Sequence, residues 1–328
     1  MAKYKEIGGT PVAFKSGSEE YSYGDSGNGS EGELYYNSSN GQFEFVGLAI
    51  GAWSSGGSLN TARNGAAASK NGTQNASLAF GGEGGDKDES ETYNGTSWTE
   101  GNDLNTARSV IGGAGTLTAA IGAGGNPGGG EVTDATEQYD GTSWSEITEI
   151  NTARFSLQGS GLQTAALMFT GFFPGPTYTT LNESWNGSSW TELADTNTGR
   201  SSGAGFGLTN TAAIIAGGEP GTLADVESWN GTSWTEVNNL NTARLGSGGA
   251  GSSTNGLVFG GAPNPKAQTE AWDGTSWTEV ADLAQARNTM GGAGTASAAL
   301  AIGGAIPPNS ALTEEWTFVH PIKTVTTS

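Results

Sequence analysis

A chain of 328 residues with 56 glycines and only 14% charged side chains lacks the Ala, Leu, Glu and Lys of a helical solenoid. The glycines follow no G-X-Y period, which excludes collagen, and they fit short strands joined by tight turns. Thirteen basic residues against 33 acidic ones leave a net charge of −20, a surface that repels nucleic-acid phosphates and anionic membranes. There is no cysteine, so disulfides, thiolate chemistry and thiolate metal sites are excluded.

Residues 1–47 stand apart in composition. The start MAKYKEIGG has no apolar core of a signal peptide, and no 18-residue apolar run follows anywhere, so neither signal-peptide secretion nor membrane insertion is expected. Residues 32–47, GELYYNSSNGQFEFVG, read as a hairpin: Leu34-Tyr35-Tyr36, a polar turn, then Phe43-Glu44-Phe45-Val46. A segment this short buries little core by itself, and is expected either to dock on the remainder or to order in an assembly.

From residue 49 onward one unit recurs. NGTSWTEVNNLNTAR at 230–244 has relatives at 94–108, 140–154, 186–200 and 273–287, with a partial copy, WSSGGSLNTAR, at 53–63. Ten positions separate each Trp from its Arg: Trp53 and Arg63, Trp98 and Arg108, Trp144 and Arg154, Trp190 and Arg200, Trp234 and Arg244, Trp277 and Arg287. The 43–46-residue period is that of a propeller blade or a helical pair, and the composition favours the blade.

Each unit divides into four strand candidates. In the fifth these are a, LGSGGAGS after Arg244; b, 256–261; c, 268–273; and d, 275–280. Strand a is poor in large side chains, which suits the crowded inner edge of a radial array, whereas a sandwich asks for bulky residues on all inner strands. Asn-Gly or Asp-Gly between c and d predicts a two-residue hairpin at 94–95, 140–141, 186–187, 230–231 and 273–274. A second aromatic precedes each of these turns: Tyr93, Tyr139, Trp185, Trp229 and Trp272.

The apolar strand followed by Gly-Gly (LVFGG at 257–261), then an aromatic (Trp272), then Trp277 after a turn, resembles the kelch repeat of β-propellers. The resemblance spans about residues 49–318. Thr170-Gly171 replaces Gly-Gly in unit 3, and Thr198-Gly199-Arg200 replaces Thr-Ala-Arg in unit 4. The resemblance implies an all-β, six-bladed kelch-like propeller of four-stranded antiparallel blades over 48–320, with a small extension at 1–47 and a tail at 321–328. The sixth unit has strand c at 313–318 but no following Trp, so Ala49–Trp53 is expected to close the ring; the alternative donor is 322–328.

The six strand-d tryptophans are expected to fill space between sheets, the alternative being sugar platforms. The six arginines are the only arginines in the chain, and two tasks suit their donor forks. They either ring the central channel around an anion or tie one blade to the next through carbonyls and carboxylates. Glu89, Glu91, Glu137, Glu183, Glu227, Glu270 and Glu314 recur near strand c as partners for the second task.

The b–c connections vary most, so recognition belongs on their face. Residues 172–181 are the leading candidate: the repeat does not require Phe172, Phe173 and Tyr178, and Pro174 and Pro176 stiffen the loop. Loop acids Asp86, Asp88, Glu131, Asp134 and Asp225 form no dense calcium motif.

Galactose-oxidase-like propellers need a Tyr–Cys link and two histidines, but this chain has no cysteine and His320 alone. The S-x-D-x-G-x-x-W boxes of sialidase-like propellers are absent. No catalytic residue, cofactor or metal is therefore expected, with a two-carboxylate glycosidase as the enzymatic alternative. GELYYNSSNGQFEFV resembles short segments of phage tail-fibre and virion appendage proteins. That implies a virion structural protein (tail fibre, head fibre or capsid decoration) on the particle exterior, contacting other virion proteins or sister copies through 1–47. Its propeller would bind a host glycan or surface protein. The competing expectation is a cytoplasmic kelch-type adaptor for another protein.

Overall fold

A computed structural model describes residues 34–37, 42–46, 50–83, 88–175, 177–319 and 322–324, and the described residues contain strands and no helix. The chain divides into two units, 1–52 with 318–328, and 53–317. In the first, Leu34–Asn37 and Gln42–Val46 pair antiparallel with Leu34 opposite Phe45, which is the expected hairpin. Ile322–Thr324 adds to Gln42–Val46 as a third strand, so the tail is not the strand that closes the other unit.

The second unit is a six-bladed propeller of four-stranded antiparallel sheets. Blade one runs Ala67–Ala68, Ser77–Phe80, Ser90–Tyr93 and Trp98–Glu100, strands a to d from the axis outward. Blade five runs Gly248–Ser252, Asn255–Phe259, Thr269–Trp272 and Trp277–Val280. The sixth has Gly291–Thr295, Ala298–Ile302 and Thr313–Val319, and takes its fourth strand from Ile50–Ser55.

Aromatics on strands c and d meet across each ladder. Ring centroids lie 4.9 Å apart for Tyr93 and Trp98, 5.3 Å for Trp185 and Trp190, and 5.1 Å for Trp272 and Trp277. Trp53 and Trp316 repeat the arrangement at 5.4 Å in the closing blade. Trp316, isolated in the sequence, is thus the sixth member of the strand-c series.

The core is divided among the six blade-to-blade interfaces. Phe80 of blade one lies 4.7 Å from Trp144 of blade two, and both pack with Ile111 and Leu104. Phe169 meets Trp234 in the same way, and Phe259 meets Trp53. Trp98, Trp144, Trp190, Trp234 and Trp277 are buried, and Trp53 is half-buried. Burying a fused ring between two sheets removes roughly 150–250 Å² from water, so each strand-d Trp is a principal contributor to its interface.

One local expectation is corrected by a residue. Asn94 N–H donates to the Ser97 carbonyl, so Gly95-Thr96, not Asn94-Gly95, forms the centre of the c–d turn. Gly95 supplies the positive φ, +89°, that a tight hairpin turn needs at its first central position. Asn94 sits at the flank, where Oδ1 accepts the Thr96 and Ser97 amides at 2.9 Å. Asp140 does the same for Thr142 and Ser143, and these amides hold its carboxyl below the ordinary range.

Around the axis, six residues just before strand a form a closed ring of main-chain hydrogen bonds. Val110 N–H donates to Gly65 O (2.9 Å), Ser156 to Val110 (2.9 Å), Ser202 to Ser156 (3.3 Å), Gly246 to Ser202 (2.6 Å), Thr289 to Gly246 (2.6 Å) and Gly65 to Thr289 (2.8 Å). All six have φ between +50° and +62°. That region is disfavoured for branched side chains, so Val110 and Thr289 are held there against local preference by the ring they complete.

Ring closure by the N-terminal strand has a direct test. Trp53→Ala removes the ring that joins Trp316, Phe259 and the Thr269 hydroxyl (2.9 Å from Nε1). It is expected to cost about 2–4 kcal/mol in chemical denaturation. A denaturation midpoint equal to that of the unaltered protein would contradict closure through this strand.

Candidate functional site

The face that carries the b–c connections is built from the repeat outward. In each blade the carboxylate of a strand-c glutamate is buried and the linker arriving from the preceding blade wraps around it. Glu137 Oε2 accepts Asn105 N–H at 2.7 Å and Asn105 Nδ2 at 2.9 Å, while Oε1 accepts Thr106 N–H at 3.2 Å and Arg108 Nη1 at 2.7 Å. Arg154 with Glu183 (2.6 Å) and Arg200 with Glu227 (2.7 Å) repeat the pair, and Arg63 with Glu91 does so at shorter range. In blade six, where Ala-Gln-Ala replaces Asn-Thr-Ala, the Arg287–Glu314 contact lengthens to 3.3 Å.

The arginines therefore do not ring the channel, and their guanidiniums do not reach across to a neighbouring blade. Arg154 donates to Thr152 O, Met168 O, Thr170 O and Glu183, all within its own blade or linker. The reason is electrostatic: a buried charge is tolerated only when paired and fully hydrogen-bonded, and the strand-c carboxylate offers that pairing away from the axis. Burial draws the Arg154 guanidinium below its ordinary value, and Glu183 opposes the shift.

The tie between blades is made by the arginine main chain instead. The second glycine of each Gly-Gly donates its N–H to the carbonyl of the next repeat arginine: Gly82 to Arg108, Gly125 to Arg154, Gly171 to Arg200, Gly218 to Arg244, Gly261 to Arg287 and Gly304 to Arg63. The last of these, at 2.9 Å, closes the circle.

The residue after each arginine bridges the residue after each Gly-Gly, forming an inner rim around the axis. The pairs are Asn64 with Glu83, Ser109 with Asn126, Phe155 with Phe172, Ser201 with Glu219, Leu245 with Ala262, and Asn288 with Ala305. No two pairs carry the same side chains, so the scaffold recurs and the rim chemistry does not. Glu83 accepts Ser109 Oγ (3.3 Å), and Glu219 accepts Ser202 Oγ (3.1 Å) and Tyr178 Oη (3.3 Å).

Phe172–Phe173 and Thr177–Tyr178 form a miniature hairpin on this face. Phe172, Phe173 and Tyr178 are half-buried rather than free-standing. Phe172 stacks 5.3 Å from Phe155 and 5.1 Å from Tyr178. Pro174 is exposed at the tip, and Pro176 lies outside the described residues. Burial, then the Glu219 carboxylate, raises the Tyr178 hydroxyl above its ordinary value, so it is a neutral donor at physiological pH.

Phe155, between Arg154 and the segment read as strand a, was not singled out in the sequence. Its signal was the position after the repeat arginine, which holds Asn, Ser, Ser, Leu and Asn in the other units. Among the loop acids, Asp86 lies outside the described residues, and no cluster of three metal-ligating side chains occurs among the described ones. Comparison with models of known protein families gives no match, and comparison with curated proteins gives none either.

The buried pairs have a measurable consequence. Arg154→Met leaves Glu183 in the interior without its cation and is expected to cost about 3–5 kcal/mol in urea unfolding. Replacing both, as Arg154→Met with Glu183→Leu, is expected to recover part of that loss. A double variant as destabilised as the sum of its two single variants would show that the two charges are not coupled.

Proposed function

We propose that this protein is a non-catalytic structural component of a phage particle whose kelch-type propeller binds a host surface glycan or protein. The observation that carries the reading is the contrast between faces. The c–d turns are near-copies of one another, whereas the rim and b–c loops differ from blade to blade around one axis. A scaffold that repeats its structural residues and varies one face is arranged for recognition. On that face the Phe155–Phe172–Tyr178 cluster offers a rigid aromatic surface with a hydroxyl donor at its edge, a combination suited to a sugar ring or a protein hot spot.

The particle assignment draws on the resemblance of residues 32–46 to virion appendage segments, on the absence of cysteine and on the strongly acidic, glycine-rich composition. In this role residues 1–47 join sister copies or other virion proteins. Weak binding at each propeller is then multiplied by the number of copies presented.

A glycan array and a host-cell binding assay with the full chain test the recognition reading. Replacing 173–177 by a Gly/Ser turn, with Phe172 and Tyr178 retained, is expected to weaken binding at least tenfold while leaving the melting temperature within a few degrees. Undiminished binding would remove this hairpin from the site. The virion reading predicts a multimer of the full chain by light scattering, whereas a monomer that captures a cytoplasmic protein would favour the adaptor.

A further inference from the structure

The fivefold recurrence of glycine seven residues after the repeat arginine (Gly115, Gly161, Gly207, Gly251, Gly294) is broken once, by Lys70 in blade one. There strand a is only Ala67–Ala68, and the chain turns inward across the end of the channel opposite the b–c loops. Asn71 N–H donates to Gly115 O of blade two at 2.9 Å, and Asn71 Nδ2 to Leu208 O of blade four at 2.8 Å. Gly294 N–H of blade six donates to Lys70 O at 3.3 Å. Residues 69–75 thus plug the axis, tied to three other blades.

Between this plug and the main-chain ring lies a cavity of about 210 Å³. Its lining includes Lys70 at the plug end and Glu219 at the loop end, with Ser156, Gln158 and Ser202 between. Most of the remaining lining is glycine, alanine and other uncharged residues. Glu219 is the carboxylate of the lining, and its oxygens are already engaged by Ser202 and Tyr178. Lys70 has no ion-pair or side-chain hydrogen-bond partner among the described residues, nor has the Ser156 hydroxyl. Gln158 Oε1 accepts Gly205 N–H at 3.1 Å, and its Nε2 has no acceptor among the described residues. Burial lowers the Lys70 amine to about 8, still mostly protonated at neutral pH.

Three kinds of donor without acceptors among the described residues therefore line one partly open space: an ammonium, an amide and a hydroxyl. A partly buried cation favours an anion beside it, and the carboxylate of the lining, Glu219, forms no ion pair with Lys70 among the described residues. We propose that the axial cavity binds a small inorganic oxyanion of the phosphate or sulfate kind, with Lys70 Nζ as its cation and Gln158 Nε2 and Ser156 Oγ as further donors. The three donors are distinct from the rim aromatics, although Glu219 both lines the cavity and accepts Tyr178 Oη.

Thermal unfolding of the full chain is the test, with sodium phosphate titrated to 100 mM at pH 7 against sodium chloride of equal ionic strength. The chloride series corrects for general screening of the −20 net charge. The expected result is a rise of several degrees in phosphate beyond that in chloride, abolished in Lys70→Met. At pH 10 the amine is neutral and the difference is expected to vanish. Equal curves in the two salts at pH 7, an undiminished phosphate effect in Lys70→Met, or a difference that persists at pH 10 would each overturn the proposal. Should Lys70→Met fail to fold, acylation of Lys70 in the unaltered protein, followed by peptide mass spectrometry, decides the matter. Phosphate is expected to slow modification at least fivefold relative to chloride, and equal rates would refute the site.

Discussion

The interaction on which the propeller depends is the junction of a buried glutamate with the linker that ends in the repeat arginine. An ionised carboxylate within a sheet is strongly unfavourable unless its lone pairs are filled. Here the fillers are main-chain amides of the incoming linker, the Asn side chain and the guanidinium, as at Glu137. Satisfying the charge therefore fixes the path by which the chain enters each blade. The arginine carbonyl, once placed, receives the glycine N–H of the preceding blade, so one residue sets both the interior of its own blade and the junction with its neighbour.

That junction explains the Gly-Gly pair. The second glycine has φ between +108° and +125° in all six blades, and a Cβ on Gly218 would lie 2.5 Å from Ser201 O. The amide reaches the arginine carbonyl only from this conformation, which L side chains avoid. The first position is less strict. Thr170 adopts φ +59°, close to the +64° of Gly81, which is how blade three accommodates Thr-Gly without changing its hydrogen bonds.

The fold was legible because its requirements recur. Trp98 to Trp277 and their strand-c partners announce five interfaces, and the lack of a Trp after Trp316 points to Trp53 as the sixth member. The c–d turn was read one residue early, because Asn-Gly is as good a signal when Asn caps the turn from its flank as when it occupies the centre. The arginine partners were present among the noted glutamates, but which blade each belonged to depends on the linker path, which spacing alone does not reveal. The axial ring was illegible for a different reason: Gly65, Val110, Ser156, Ser202, Gly246 and Thr289 share a backbone conformation and no side chain.

Repetition also separates scaffold from function. A residue that the ring needs is needed six times, so Arg, Trp and the strand-c Glu are accounted for by geometry. A residue that appears once at an otherwise uniform position is not demanded by the ring. Phe155 and Lys70 are of this second kind, and they lie at opposite ends of the same strand direction: one beside the rim that the b–c loops form, the other at the plug. Lysine at this position places a half-buried cation on an axis where the other five blades place glycine. Strand a and its turn are rearranged around that lysine, and the oxyanion proposed for the axis would answer its charge.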